Sequence, residues 1–148
     1  MRKLGLDLGT KSCGFAITDE DEIIASSLEN FKFAENDFEA AIRKIQSYLQ
    51  EYNIDGFVLG YPLTISGNKG QRALMVENFK TLLEKHFDIP IMLINEQYTT
   101  QKAHDVLILA GLTRQKRKAH KDKLAAQFIL QEYLDYHKDK WTIIKKGE

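Results

Sequence analysis

Three acidic residues of this sequence lie where a folded domain could bring them together: Asp7, Glu96 and Asp122. Asp7 lies on a predicted first strand, Glu96 directly follows a predicted buried strand, and Asp122 begins the predicted last helix. Carboxylates crowded at one site raise one another's pKa unless a cation offsets their charge. Mg²⁺ or Mn²⁺ suits such oxygen ligands, and two ions about 4 Å apart would activate water for attack on a phosphodiester. The three acids are therefore candidate catalytic and metal-binding residues of a hydrolase.

The strand that carries Asp7 has glycine on both sides of it. Alternation along residues 3–10 places three leucines on one face and Gly5, Asp7 and Gly9 on the other. Glycines at such positions indicate the close approach of a ligand, an ion or another backbone. The alternatives are structural: Asp7 as a core acid with nearby donors, Glu96 as a surface acid, and Asp122 as an acid that favours a helix amino terminus.

Composition limits the class of protein. The chain has 148 residues, 43% of them hydrophobic and 28% charged, which predicts one domain at 1–138 with a C-terminal tail at 139–148. With neither a long apolar run nor an export signal, we expect a cytoplasmic protein without a membrane partner. A single cysteine, Cys13, excludes an intramolecular disulfide, and the four histidines lack zinc-ligand spacing. Because 21 basic residues balance 21 acidic ones, only a local patch could indicate nucleic-acid binding.

Hydrophobic periodicity predicts an α/β fold. Strands are expected at 3–10, 14–19, 22–31, 55–60 and 90–94, and helices at 38–52, 71–87, 99–111 and 122–137. Leu74 is expected on the apolar side of the second helix, and 113–121 is expected to be a basic connector. Short links between the first three strands predict an antiparallel meander, and the crossovers that follow add two parallel strands. The result is a mixed five-stranded sheet with helices on both faces and ligands near the carboxyl ends of its strands.

Basic residues surround the candidate site in the sequence. Thr10 and Lys11 follow the first strand and could contact a phosphate, or simply form a hairpin turn. Lys69 and Arg72 could form one side of a substrate groove, or lie in a solvated loop. Five further cations lead into the helix of Asp122 and favour contacts with the nucleic-acid backbone over a merely solvated face: Arg114, Lys116, Arg117, Lys118 and Lys121.

Several motifs, in order along nearly the whole chain, resemble the YqgF or RuvX family of Holliday junction resolvase-like proteins. They are Gly5-Leu6-Asp7-Leu8-Gly9-Thr10-Lys11, Gly60-Tyr61-Pro62-Leu63, Gly67 with Gly70, Asn95-Glu96-Gln97-Tyr98-Thr99-Thr100, and Asp122 with Ala125-Ala126 and Gln131-Glu132-Tyr133-Leu134. The resemblance implies a ribonuclease H-like fold and a nuclease that matures the 5′ end of pre-16S rRNA. It also implies that Asp7, Glu96 and Asp122 bind the catalytic metal.

The motif around Glu96 departs from the family pattern. Where the family usually has Asp-Glu-Arg-Leu-Thr-Thr, this chain has Asn95 before the acid and Gln97 with Tyr98 after it. Glutamine cannot make the bidentate phosphate contact of arginine, so this departure weakens the expected binding of substrate.

Three alternative functions remain open from the residues alone. The Asp-Leu-Gly-Thr segment also resembles the first phosphate loop of actin-like ATPases and sugar kinases, although those proteins close two such domains over a nucleotide. A non-catalytic nucleic-acid-binding module would bind without cleaving. A resolvase of four-way DNA junctions would need a dimer with two sites, whereas RNA cleavage is compatible with a monomer or a weak homodimer.

Overall fold

The computed structural model describes residues 1–62, 70–95 and 114–141, and the side chains of its last long helix from Leu124 onward. The strands are β1 (Arg2–Leu8), β2 (Ser12–Thr18), β3 (Ala25–Lys32), β4 (Ile54–Tyr61) and β5 (Ile91–Asn95). The helices are α1 (Phe38–Glu51), α2 (Gln71–His86) and α3 (Arg114–Tyr136), followed by a short 3-10 turn at Lys138–Lys140. No helix in this part of the chain has the length and hydropathy needed to cross a membrane.

The sheet has the predicted topology. Its strand order is β3-β2-β1-β4-β5, with antiparallel pairing among the first three strands and parallel pairing of β1 with β4 and of β4 with β5. The meander follows from the short links around Gly9 and Asp21, which allow only neighbouring antiparallel strands. β1 is therefore central, at the point where strand direction changes.

Two apolar cores cover the two faces of the sheet, which confirms the prediction of helices on both sides. The leucines of β1 pack with α1 and α2 on one face. On the other face, apolar side chains of β2, β3, β4 and β5 pack against α3. The predicted inward face of α3 is confirmed for Ala125, Ala126 and Ile129, each of which is at most 8% exposed.

Gly5 explains how closely α3 approaches the sheet. A Cβ atom placed on Gly5 would lie 3.0 Å from the Cβ of Leu130 and 3.2 Å from the carbonyl oxygen of Ala126. Ordinary contacts of a Cβ atom are 3.4 to 4 Å. The absence of a side chain at Gly5 therefore lets the helix backbone lie directly on β1, so the close approach predicted at this strand is that of another backbone.

Two predictions about the helices were wrong. The segment expected to be a basic connector is helical, and α3 begins at Arg114 rather than near Asp122. The segment lacks proline and glycine and is rich in residues that favour helix, which outweighs the repulsion between its charges. Leu74 is 53% exposed, because the buried stripe of α2 is formed by Ala73, Val76, Phe79 and Leu83. The predicted loop at 64–70, apart from Gly70, and the predicted helix at 99–111 lie outside the described residues.

A buried lysine joins several elements at the amino end of β1. Lys3 is 6% exposed, and its Nζ lies 2.6 Å from Asp55 Oδ1 and 2.9 Å from Glu22 Oε1. Burial alone would lower the pKa of Lys3, but the hydrogen bonds to Asp55 and Glu22 outweigh burial and raise it. The same ammonium lies 5.8 Å from the ring centre of Trp141, whose indole donates to the hydroxyl of Tyr133. This network fastens the carboxyl end of α3 to the sheet.

Candidate active site

Asp7 lies near the carboxyl end of the central strand. It is half-buried and is paired with Gly14 of β2. The thiol of Cys13, the residue before Gly14 on that strand, is fully buried, and its pKa is raised first by burial and then by the negative charge of Asp7. Asp7 thus lies on the hairpin of β1 and β2, and the neighbouring thiol of Cys13 is protonated and buried in the core that contains the leucines of β1.

The carboxyl ends of three strands lie along the same edge of the sheet. The parallel register of β1 and β4 ends at the pair Leu6 and Leu59, whereas β4 and β5 remain paired up to Tyr61 and Asn95. Asn95 is the last residue of β5, and Glu96, the next residue in the chain, lies outside the described residues. The strand that leads to Glu96 therefore ends at the same edge as β1.

α3 packs on the sheet and runs in the opposite direction to β1. Near the carboxyl end of α3, the Tyr133 hydroxyl lies 3.4 Å from Glu22. Glu22 also contacts Lys3, so this end of α3 lies at the amino end of β1. One to two turns earlier, α3 meets Gly5. Ala126 and Ile129 also share the core formed with Met92 and Ile94 of β5. Going toward its amino end, α3 therefore approaches the carboxyl edge of the sheet. The backbone of Asp122 is helical, and its side chain is not among those described.

Three of the predicted substrate-binding residues lie at this edge. Thr10 and Lys11 are exposed in the β1–β2 turn, and their carbonyl oxygens accept hydrogen bonds from Asn36 N–H (2.7 Å) and Phe33 N–H (2.9 Å). Arg72, in the first turn of α2, donates from Nη2 to the carbonyl oxygen of Leu8 at 3.1 Å. These contacts hold the turn and the helix against the strand that carries Asp7.

The remaining predicted substrate-binding residues have no described side chain. Lys69 lies outside the described residues. The cationic run occupies the first turns of α3, where only the backbone is described: Arg114, Lys116, Arg117, Lys118 and Lys121. Among the described residues, no group of three or more His, Cys, Asp or Glu could hold a metal. That set lacks Glu96 and the side chain of Asp122.

One contact at this edge, between Tyr61 and Glu77, was not predicted from the sequence. The hydroxyl of Tyr61, the last residue of β4, donates to Glu77 Oε1 of α2 at 2.7 Å. Nothing in the spacing of these two residues indicates their contact, because it depends on how α2 packs over the sheet. The only signal was the position of Tyr61 between Gly60 and Pro62, where the strand must end.

The sheet order and the helix that crosses β1 define a resolvase-like fold of the ribonuclease H class. The structure titled "T. thermophilus RuvC in complex with Holliday junction substrate" matches 93% of this chain and 97% of its own, with a TM-score of 0.55 and 16% identity. The fowlpox virus Holliday junction resolvase matches 91% of this chain and 99% of its own, with a TM-score of 0.52 and 18% identity. At these identities the likeness concerns the fold alone.

The chain belongs to the RuvX family. Residues 1–136 match the family model described as "RuvX: Holliday junction resolvase". A protein of Mycoplasmopsis synoviae named "Putative pre-16S rRNA nuclease" is 47% identical over 138 residues, which cover 93% of this chain and all of the relative. A protein of Geobacillus sp. with the same name is 41% identical over 135 residues, 91% of this chain and 98% of the relative. The family expected from the motifs is thereby confirmed.

Proposed function

We propose that this chain is a metal-dependent nuclease that cleaves phosphodiesters of RNA in 5′-end maturation of pre-16S rRNA, in the cytoplasm. One observation carries the proposal: α3 lies directly on β1 at Gly5 and runs from there toward the edge where Asp7 and the end of β5 lie. The substrate class rests on the names of the relatives that match over almost the whole chain.

Simple distances support the convergence of Asp7 and Asp122. From Gly5 to Asp7 is two strand residues, or about 6.6 Å along β1. From Ala126 to Asp122 is four helical residues, or about 6 Å along α3 in the same sense. Helix and strand therefore advance equally toward the carboxyl edge. Because Ala126 and Ile129 share an apolar core with residues of β5, we expect Asp122 between Asp7 and Glu96, with the three forming the catalytic group.

The residues present fit a hard divalent ion. Asp7, Glu96 and Asp122 offer only carboxylate oxygens, the ligands that Mg²⁺ and Mn²⁺ prefer. The thiol of Cys13, the single cysteine of the chain, is withdrawn by its complete burial in the apolar core that contains the leucines of β1. When bound, a pair of such ions would activate water and stabilise the leaving oxygen. β1 is paired with β2 at Asp7, so the backbone of this acid is held before an ion binds.

The basic residues are proposed to hold the backbone of the nucleic acid on either side of the acids. Lys11 and Thr10 lie exposed beyond the end of β1, next to Asp7. The cations of 114–121 lie on the helix that also carries Asp122, so their spacing from the proposed catalytic group is fixed by that helix. Such contacts give affinity that falls with salt and carry no sequence specificity. One site suffices for RNA cleavage, so we expect a monomer or a weak homodimer.

The test compares the wild type with Asp7→Asn and with Asp88→Asn, which removes the same charge from an exposed loop position. Each protein is offered pre-16S rRNA, single-stranded RNA and a four-way DNA junction, with Mg²⁺, Mn²⁺ or EDTA. We expect cleavage of the precursor RNA that requires metal, persists in Asp88→Asn and falls at least about 100-fold in Asp7→Asn. Equal residual cleavage by wild type and Asp7→Asn would refute the catalytic assignment.

The same experiment separates the alternative functions. Cleavage of the four-way junction in preference to RNA would replace the proposed substrate with the one in the family description. Binding that weakens with salt, without cleavage under either metal, would instead indicate a non-catalytic nucleic-acid-binding module.

A further inference from the structure

The pairing between β1 and β4 ends just before Asp7. The register between β1 and β4 ends at Leu6 with Leu59, so the last two residues of β1, Asp7 and Leu8, extend beyond that ladder. On its other side, β1 remains paired with β2 up to Leu8 and Cys13. The carboxyl end of β1 is therefore held by strand pairing on one side only.

Helix α2 contacts both strands at this separation. In its first turn, Arg72 Nη2 donates to the Leu8 carbonyl oxygen at 3.1 Å. Five residues later, Glu77 Oε1 accepts from the hydroxyl of Tyr61, the last residue of β4, at 2.7 Å. One helix thus fastens the end of β1 and the end of β4 through two side chains, about 7.5 Å apart along its axis.

The atom that Arg72 contacts is informative. The Leu8 carbonyl belongs to the residue directly after Asp7, and the following N–H, that of Gly9, donates to the Ser12 carbonyl at 2.8 Å. A charged donor on Leu8 and the turn bond of Gly9 together fix the backbone on the carboxyl side of Asp7. A hydrogen bond with one charged partner is stronger than a neutral one and directional, so it restrains the strand end well.

We propose that Arg72 is a positioning residue that fixes the carboxyl end of β1, and with it the Asp7 carboxylate, while Tyr61 and Glu77 fix β4 at the other side of the gap. This inference rests on the proposed nuclease function of Asp7. It assigns Arg72 a role different from the substrate contact that its sequence position suggested. Arg72 then serves the turnover step and metal binding more than the affinity for nucleic acid.

The kinetic signatures of the two roles differ. A residue that positions Asp7 acts on the transition state and on the metal, so its loss lowers kcat and leaves KM nearly unchanged. A residue that binds a substrate phosphate contributes affinity, so its loss raises KM and reduces the salt dependence of binding by about one counterion. Arg72→Ala, Arg72→Lys and Lys85→Ala separate these roles, since Lys85 is an exposed cation near the other end of the same helix.

Four measurements are made on the full chain: kcat and KM for RNA, the salt dependence of RNA binding, Mn²⁺ affinity by electron paramagnetic resonance, and amide hydrogen exchange at Gly9. For Arg72→Ala we expect kcat about tenfold lower, KM within about twofold, weaker Mn²⁺ binding, and Gly9 exchange about tenfold faster, from the loss of one charge-assisted hydrogen bond. Arg72→Lys should restore part of each effect, because an ammonium can still donate to Leu8. Lys85→Ala should match the wild type, and circular dichroism confirms that each variant is folded.

Two results would overturn the proposal. One is a raised KM with unchanged kcat and a shallower salt dependence in Arg72→Ala, which is the signature of a phosphate ligand. The other is unchanged Gly9 exchange and Mn²⁺ affinity in that variant. If the wild type itself cleaves nothing, the proposed nuclease function fails, but Gly9 exchange still decides whether Arg72 fixes the end of β1. Tyr61→Phe gives an independent check, with an expected loss of about threefold in kcat.

Discussion

Adding one methyl group at Gly5 tests the close contact on which the proposed catalytic group depends. In Gly5→Ala the new Cβ would lie 3.0 Å from the Cβ of Leu130 and 3.2 Å from the carbonyl oxygen of Ala126. Both neighbours belong to α3 and neither is the far end of a flexible side chain. The helix must therefore move away from β1 by a few tenths of an ångström.

The expected effect on stability is moderate. Overpacking a core by one methyl costs about 1 to 3 kcal/mol in the free energy of unfolding, and replacing glycine by alanine returns about 0.4 to 1 kcal/mol through the unfolded state. The difference is a net loss of about 0 to 2.6 kcal/mol, which corresponds to a Tm lower by at most about 10 °C for a chain of this length. Activity should fall further, by roughly tenfold, because the displaced helix carries the proposed catalytic residue Asp122 and small misplacements of catalytic groups are costly.

Gly56→Ala is the matched control. Gly56 lies on the neighbouring strand β4, and a Cβ there would lie 2.7 Å from Cδ of Lys3 and 3.1 Å from Cζ2 of Trp141, at the other end of the sheet. We expect a similar loss of Tm in a thermal melt and little loss of metal-dependent kcat. Wild-type kcat in a destabilised Gly5→Ala protein would refute the reasoning, as would an equal loss of kcat in Gly56→Ala.

Two further predictions follow from groups away from the edge of the sheet that carries Asp7. Lys3→Met should lower the free energy of unfolding by about 1 to 3 kcal/mol near neutral pH, less than for a fully buried pair because Asp55 is 40% exposed. Because the pKa of Lys3 is raised, the contribution of its charge is complete below the ordinary lysine value of 10.5 and is lost as pH rises through the higher folded value. Urea unfolding of both proteins at neutral and strongly alkaline pH measures this, and a wild-type advantage that persisted in alkali would contradict it. Cys13 is buried and its pKa is raised, so it should react with a disulfide reagent only after urea unfolds the chain; rapid labelling of the native protein would contradict its burial.

The sheet could be predicted from the sequence because its signals are local. Alternating leucines, short links and compact apolar strands specify a meander followed by parallel strands, and each of the five strands lies within three residues of its predicted bounds. The start of α3 could not be predicted in this way. A run of like charges suggests a solvated connector, although the same residues favour helix. Leu74 was wrongly predicted on the apolar side of α2, because helical spacing alone does not show which of the adjacent apolar residues Ala73 and Leu74 is buried.

The candidate site was predictable only in part, since its residues come from distant segments. The position of Asp7 on the central strand could be inferred from alternation, and the structure agrees. The contacts of Arg72 with Leu8 and of Tyr61 with Glu77 could not be inferred from the sequence. Each depends on how α2 packs over the ends of β1 and β4. Such contacts follow from packing, which single-residue patterns do not encode.

The helical start of α3 changes how the charged segment relates to the proposed chemistry. A flexible connector would let the cations of 114–121 move independently of Asp122, and ordering them on a substrate would cost conformational entropy. On a continuous helix, the span from Arg114 to Asp122 is about 12 Å and is set before substrate arrives. The contact at Gly5 and the network around Lys3 fix the other half of the same helix to the sheet. The proposed phosphate contacts and the proposed catalytic acid of α3 therefore share one helix, which would favour cleavage at a set distance from the bound backbone.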